Sequence, residues 1–229
     1  MEINLFLWPM LLPMIIPLVY CVRYQKKSMS DILIIILSMV IIIIVYWPLV
    51  TSNIFSSYTY VVTKFLLFLL LPLFLLVFLH RNVVLLHPGI YGIKKEGMKT
   101  SFLWFMIFLP IMLLTTGIIQ YTQGIQWNSN VFSGIISFFE AFSEEFFFRG
   151  ILFVFLIKKT TLKIAYVTSF GSFLLMHPQN LFTLLSLITI LQGILTIEIA
   201  RRSHNNITGS WFLHGFNRFF QLTLLPFVL

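Results

Sequence analysis

Charge is what this chain has least of: 15 Lys and Arg and 7 Asp and Glu among 229 residues. A soluble domain carries about 25% charged residues, whereas here 10% are charged, 59% are hydrophobic and the mean hydropathy is +0.98. A water-soluble fold of this size cannot cover itself with so few charges, so an integral membrane protein is expected. Cysteine is nearly missing as well. Cys21 stands alone, which excludes an internal disulfide and a multi-cysteine metal site. Alanine occurs only at Ala141, Ala165 and Ala200, against 26 Phe, a bulky lipid-facing composition rather than a tight small-residue bundle. Nothing points to a nucleic acid. The net charge of +8 is scattered over connections, where a membrane protein carries its topology signals.

A membrane-crossing helix needs roughly 20 apolar residues. Stretches of that kind lie at 3–22, 31–50, 59–79, 101–119, 131–157, 161–180, 181–200 and 207–228. The expected fold is therefore all-α and polytopic, with about eight transmembrane helices. The sixth and seventh are joined by a tight turn around His177-Pro178-Gln179-Asn180. The first stretch carries Glu2 and no leading Lys or Arg and is long for a secretory signal. Basic residues gather in alternate connections: Arg23, Lys26 and Lys27; Arg81, Lys94, Lys95 and Lys99; Lys158, Lys159 and Lys163; Arg201 and Arg202. The positive-inside bias makes these cytoplasmic and puts both termini outside. Lys64 is the residue that strains this count, since it belongs either to the third stretch or to the connection before it.

Within the apolar stretches the ionisable residues are unevenly spread. The first four are almost free of them, while the fifth holds Glu140, Glu144, Glu145 and Arg149. His177 lies near the end of the sixth, and His214 and Arg218 lie in the eighth. Embedded carboxylates and guanidinium groups cost several kcal/mol to insert and usually mark function. A purely structural reading pairs Glu145 with Arg149 at i,i+4 and leaves Glu140, Glu144 and two histidines over. At about 1.5 Å per residue, Glu144 and Glu145 lie about 20 Å from Lys158, His177 about 21 Å from Lys163 and His214 about 18 Å from Arg202. One slab of the bilayer thus collects polar side chains from three helices, so a site between helices within the bilayer is expected. Two carboxylates, an arginine and two histidines can hold a water and take its proton. No Gly-x-Ser-x-Gly nucleophile or catalytic-looking cysteine suggests covalent catalysis.

These residues resemble a known pattern. Glu144-Glu145-Phe146-Phe147-Phe148-Arg149 matches the Glu-Glu-x-x-x-Arg motif of the CAAX-protease and bacteriocin-processing (CPBP, or Abi) intramembrane endopeptidases, and Phe173-Leu174-Leu175-Met176-His177 matches their Phe-x-x-x-His motif. The third motif, His-x-x-x-Asn, is met with a departure: Asn217 stands three residues after His214, and Arg218 stands at the fourth. The resemblance covers about residues 130–225 and divides the chain into variable N-terminal helices, 1–129, and a catalytic-core-like part, 130–229. It implies peptide-bond hydrolysis inside the bilayer, with Glu144 and His177 activating water, Glu145 and Arg149 orienting that base, and His214 with Asn217 stabilising the oxyanion. Whether Asn217 or Arg218 is the second oxyanion donor stays open. No cofactor is expected, with zinc at Glu144, His177 and His214 as the alternative. The implied partner is a peptide or small membrane protein, as in bacteriocin or signal-peptide processing or self-immunity; the short chain and its Ile-, Phe-, Lys- and Asn-rich composition point to a bacterial plasma membrane. A non-catalytic immunity or scaffold protein and a proton-coupled transporter are the competing readings. The oligomeric state is not legible.

The small and polar residues Thr183, Ser186, Thr189, Gln192, Gly193 and Thr196 run at helical spacing along the seventh stretch, a pattern expected from helix packing with cavity lining as the alternative.

Overall fold

The computed structural model describes residues 5–51, 57–125, 129–177 and 181–228; the expected turn residues Pro178, Gln179 and Asn180 lie outside them. Among the described residues the chain is helical, without a strand. A 3₁₀ segment, Leu5–Met14, leads into α1 (Ile15–Tyr24), followed by α2 (Met29–Thr51). Helix α3 comprises Ser57–Lys64, a π-type piece Phe65–Leu70, and Leu71–His80. Then come α4 (Met98–Thr122), α5 (Val131–Glu145, continued in π geometry by Phe146–Phe155), α6 (Leu162–Leu175) and α7 (Leu185–Arg202). The last, α8, comprises Thr208–Phe219, a π piece Phe220–Leu224, and Leu225–Val228. Among the described residues three helices are long and apolar enough to cross a membrane by length and composition: Lys26–Tyr46, Thr59–His80 and Met98–Thr122. Trp8–Tyr24 and Leu162–Leu175 are shorter apolar helices.

The start of the chain shows how sequence selects local structure. Pro9, Pro13 and Pro17 recur every four residues, and each lacks the N–H that would bond a carbonyl one turn back. Hydroxyls of α6 fill the vacancies: Ser172 Oγ donates to the Met10 carbonyl at 2.9 Å and Thr168 Oγ1 to that of Pro13 at 3.4 Å. The N-terminal segment is thereby fixed against α6. Two later helices start on side-chain caps, Asn130 accepting from Ser133 N and Thr161 from Ile164 N.

Outer faces carry apolar side chains. Val62, Leu66, Leu70, Phe74 and Phe78 follow one another at four-residue steps on α3 and are all exposed, and α4 exposes Leu103, Ile107, Ile111, Leu114 and Ile118. Such stripes are unfavourable in water and fit a lipid surround. The opposite face of α3 buries Lys64, Phe68 and Leu76. Helix α5 is the centre of the bundle, every residue from Phe146 to Leu156 being buried. Phe68 meets Phe147 edge-on at 5.6 Å, and Phe173 meets Phe148 at 5.3 Å. Helix α8 comes close to α5 where there is no side chain to keep them apart. A methyl group on Gly215 would meet the Phe138 ring at 2.6 Å.

One feature differs from expectation. The turn between the sixth and seventh stretches, expected around residues 177–180, is a longer connection: α6 stops at Leu175 and α7 starts at Leu185. Pro178 disfavours helical backbone at the residue before it, so His177 sits just past the helix end. His80 lies 2.9 Å from Asp31, whose other carboxylate oxygen meets Lys159 at 2.9 Å. The long connection after α3 is also fixed. Asn206 Nδ2 donates to the carbonyls of Lys94 and Glu96 at 2.6 and 2.9 Å, and Tyr91 is buried against Phe146 and Phe155.

Candidate active site

A cavity of about 360 Å³ opens between α3, α5, α6, α7 and α8. Glu144, His177 and His214, expected from sequence to share one depth, all line it, together with Glu140, Lys64 and Arg218. Glu144 and Glu145 are adjacent on α5 and diverge: Glu144 faces the cavity, while Glu145 is fully buried beside it.

Glu145 is held from two sides. Its Oε1 lies 2.9 Å from His214 Nδ1, and its Oε2 lies 3.2 Å from Arg149 Nε. A carboxylate only accepts, so His214 Nδ1 carries a proton, and its Nε2 faces Glu144 Oε2 at 3.8 Å. Arg149, also fully buried, stacks on Phe173 with 4.3 Å between guanidinium carbon and ring centre. It donates from Nε to Thr196 Oγ1 at 2.8 Å and from a terminal nitrogen to the Gly193 carbonyl at 3.4 Å. The small-polar stripe of α7 thus does two jobs. Gly193 and Thr196 receive Arg149, while Thr189 and Gln192 line the cavity.

His177 Nδ1 lies 2.9 Å from the Phe173 carbonyl. A carbonyl accepts only, so Nδ1 is the protonated nitrogen and Nε2 is left as an acceptor. In the third motif the two candidates separate. Asn217 is buried away from the cavity, accepting from Thr116 Oγ1 at 2.8 Å and donating to Gln192 Oε1 at 3.0 Å. Arg218, the departure from the motif, lines the cavity.

Sequence reasoning missed Lys64. Its ammonium is bonded to both Glu140 and Glu144, with side-chain exposure of 4%, and it lies 4.8 Å from the centre of the Tyr60 ring. The available signal was depth. Lys64 precedes His80 by sixteen residues, about 24 Å of helix, which is the slab of Glu144. The Glu144 carboxylate already carries an ammonium and shares its cavity with a guanidinium. Among the described residues no group of three or more His, Cys, Asp or Glu is arranged to hold a metal ion.

An all-helical protein with apolar outer faces and several helices long and apolar enough to cross a membrane is of the membrane-protein class. Residues 100–220 match the family described as type II CAAX prenyl endopeptidase Rce1-like, and the chain belongs to that family, a family of proteases. No curated protein and no solved structure gives a significant match.

Proposed function

We propose that the chain is an intramembrane glutamate-type endopeptidase, in which Glu144 is the general base that activates water. The observation carrying this reading is the cavity lined together by the Glu144 carboxylate of α5, His177 just past the end of α6 and His214 of α8, in a chain of a protease family. In the proposed reaction a water lies between Glu144 and the acceptor Nε2 of His177. Glu144 takes its proton as the oxygen attacks the scissile carbonyl, and later gives that proton to the leaving amine. A general base of this kind contributes typically about 10²–10⁴-fold. Glu145 and Arg149 fix the position of α5 side chains and hold His214, which donates from Nε2 to the developing oxyanion when doubly protonated. Arg218 is the cavity-facing second donor, and Asn217 acts by holding Gln192.

The substrate in this reading is a small peptide or a membrane-protein segment that enters from the bilayer. The family name points to peptides whose C-terminus carries a prenylated Cys-a-a-X sequence. Bacteriocin and signalling precursors are the other members of the class to be screened. We further propose a bacterial plasma-membrane protein with eight crossings and both termini outside, from the charge alternation of the connections. Metal-free chemistry is part of this proposal; the cations around Glu144 support it, since each repels a metal ion from the same carboxylate.

The test is hydrolysis by the purified chain in liposomes of a quenched prenyl-cysteine peptide and a panel of hydrophobic peptides, with fragments identified by mass. Cleavage by wild type and a loss of at least about a hundredfold in Glu144→Gln is expected. Near-normal cleavage by Glu144→Gln overturns the assignment.

A further inference from the structure

We propose that Lys64 is a positioning residue for this reaction, holding the Glu144 carboxylate charged and aimed into the cavity from a helix that lies outside the family-matched residues. The inference rests on the protease reading above. Lys64 is 3% exposed and sits on the inner face of α3, opposite the lipid-facing stripe. It bonds Glu140 and Glu144, which are one turn apart on α5. Around the cavity and behind it stand three cations, Lys64, Arg149 and Arg218, and three carboxylates, Glu140, Glu144 and Glu145. Arg149 is committed to Glu145, so Lys64 is the cation in contact with the base.

Two like charges one turn apart in a low dielectric do not both stay ionised without a counter-charge. Lys64 supplies it and bridges the two carboxylates, leaving the second oxygen of Glu144 directed toward His214. The ammonium is itself positioned. It lies over the Tyr60 ring, whose hydroxyl accepts from Tyr46 Oη at 3.0 Å. A water-activating glutamate needs this arrangement. The base must be a carboxylate before turnover, and a neighbouring ammonium keeps it one while leaving an oxygen for water. The N-terminal helices are thus part of the site: α3 carries a group that the matched residues 100–220 do not contain.

A residue that merely balanced Glu140 would affect folding and nothing else, so the test separates the two. The full chain in liposomes is assayed for kcat and KM on the quenched prenyl-cysteine peptide. In parallel it is treated with dicyclohexylcarbodiimide, which modifies protonated carboxyls in apolar surroundings and needs no turnover, and is mapped by mass. Lys64→Met is expected to lose at least about tenfold in kcat with KM within about twofold, since a base is lost rather than a binding contact. It is also expected to gain label at Glu144 itself, resolved from Glu140 and Glu145 by fragmentation of the labelled peptide. Lys64→Arg is expected to recover most of kcat and to stay unlabelled. Equal labelling of wild type and Lys64→Met, or wild-type kcat in that variant, overturns the proposal. If Lys64→Met does not accumulate, the double variant Lys64→Met/Glu140→Gln, which removes one charge of each sign, replaces it. Wild-type kcat in the double variant shows that Lys64 serves only Glu140 and overturns the proposal too. A wild-type chain that cleaves no peptide overturns the protease reading alone, and the labelling comparison still decides the role of Lys64.

Discussion

His214 Nδ1 lies 2.9 Å from Glu145 Oε1, tying α8 to the centre of α5 one residue from the cavity-facing Glu144. The same glutamate meets Arg149, so a single fully buried carboxylate joins the first and third motifs.

That arrangement makes Arg149 structural as well as functional. Arg149→Ala leaves Glu145 with a buried, half-compensated charge, and removing one partner of a buried pair costs about 3–5 kcal/mol. We expect a clear drop in the thermal midpoint in detergent and no detectable cleavage. Thr196→Val, which removes the hydroxyl that accepts from Arg149 Nε at 2.8 Å and donates to the Gln192 carbonyl at 2.7 Å, is expected to cost about 1–3 kcal/mol. An unchanged midpoint in Arg149→Ala contradicts the pairing.

The third motif gives opposite expectations for neighbouring residues. Arg218→Met removes a cavity-facing donor, and loss of one such donor lowers kcat by about 10²–10³-fold with little change in stability. Asn217→Ala leaves Thr116 and Gln192 without their partner and is expected to destabilise by about 1–3 kcal/mol, with a smaller fall in kcat. Steady-state kinetics and melting curves on the two variants decide. The reverse ranking in kcat restores Asn217 as the oxyanion donor.

Metal content follows from the cations. With Lys64 on Glu144 and Arg218 in the same cavity, elemental analysis of purified protein is expected to give well below one zinc per chain, and chelators should leave cleavage intact. Stoichiometric zinc, with activity lost on chelation and restored by metal, assigns Glu144, His177 and His214 as its ligands instead.

Topology is tested by reporter fusions. Cytoplasmic signals are expected at Lys27, Lys95, Lys158 and Arg202, and external ones at Asn53, Asn128 and the C-terminus. A cytoplasmic C-terminus contradicts the eight-crossing arrangement.

Much of this was legible in the sequence, for identifiable reasons. The all-helical class follows from long apolar stretches with few charges. Glu144, His177 and His214 were found by depth, because embedded charges are costly and rise along a helix is regular. What depth does not give is azimuth. Asn217 and Arg218 are adjacent in sequence and at one level, yet one points into helix packing and the other into the cavity. Lys64 escaped because α3 is apolar around most of its circumference, so no periodicity marks its inner face, and a lysine near a span end reads as a boundary residue. The turn at His177-Pro178 was legible because proline restricts the residue before it, but the sequence reading did not show that the connection runs on until α7 starts at Leu185. The roles of Gly193 and Thr196 required Arg149 to be placed first.

The central claim is that Glu144 takes a proton from the attacking water and never bonds to the substrate. A single-turnover reaction in ¹⁸O-labelled water, with enzyme in excess over the quenched prenyl-cysteine peptide, tests it directly by mass measurement of both the product and the protein peptide containing Glu144. General-base attack puts one ¹⁸O into the new carboxyl terminus of the product and none into Glu144. Appearance of ¹⁸O in the Glu144 carboxylate, with unlabelled oxygen in the product, would show a covalent acyl intermediate and contradict the account.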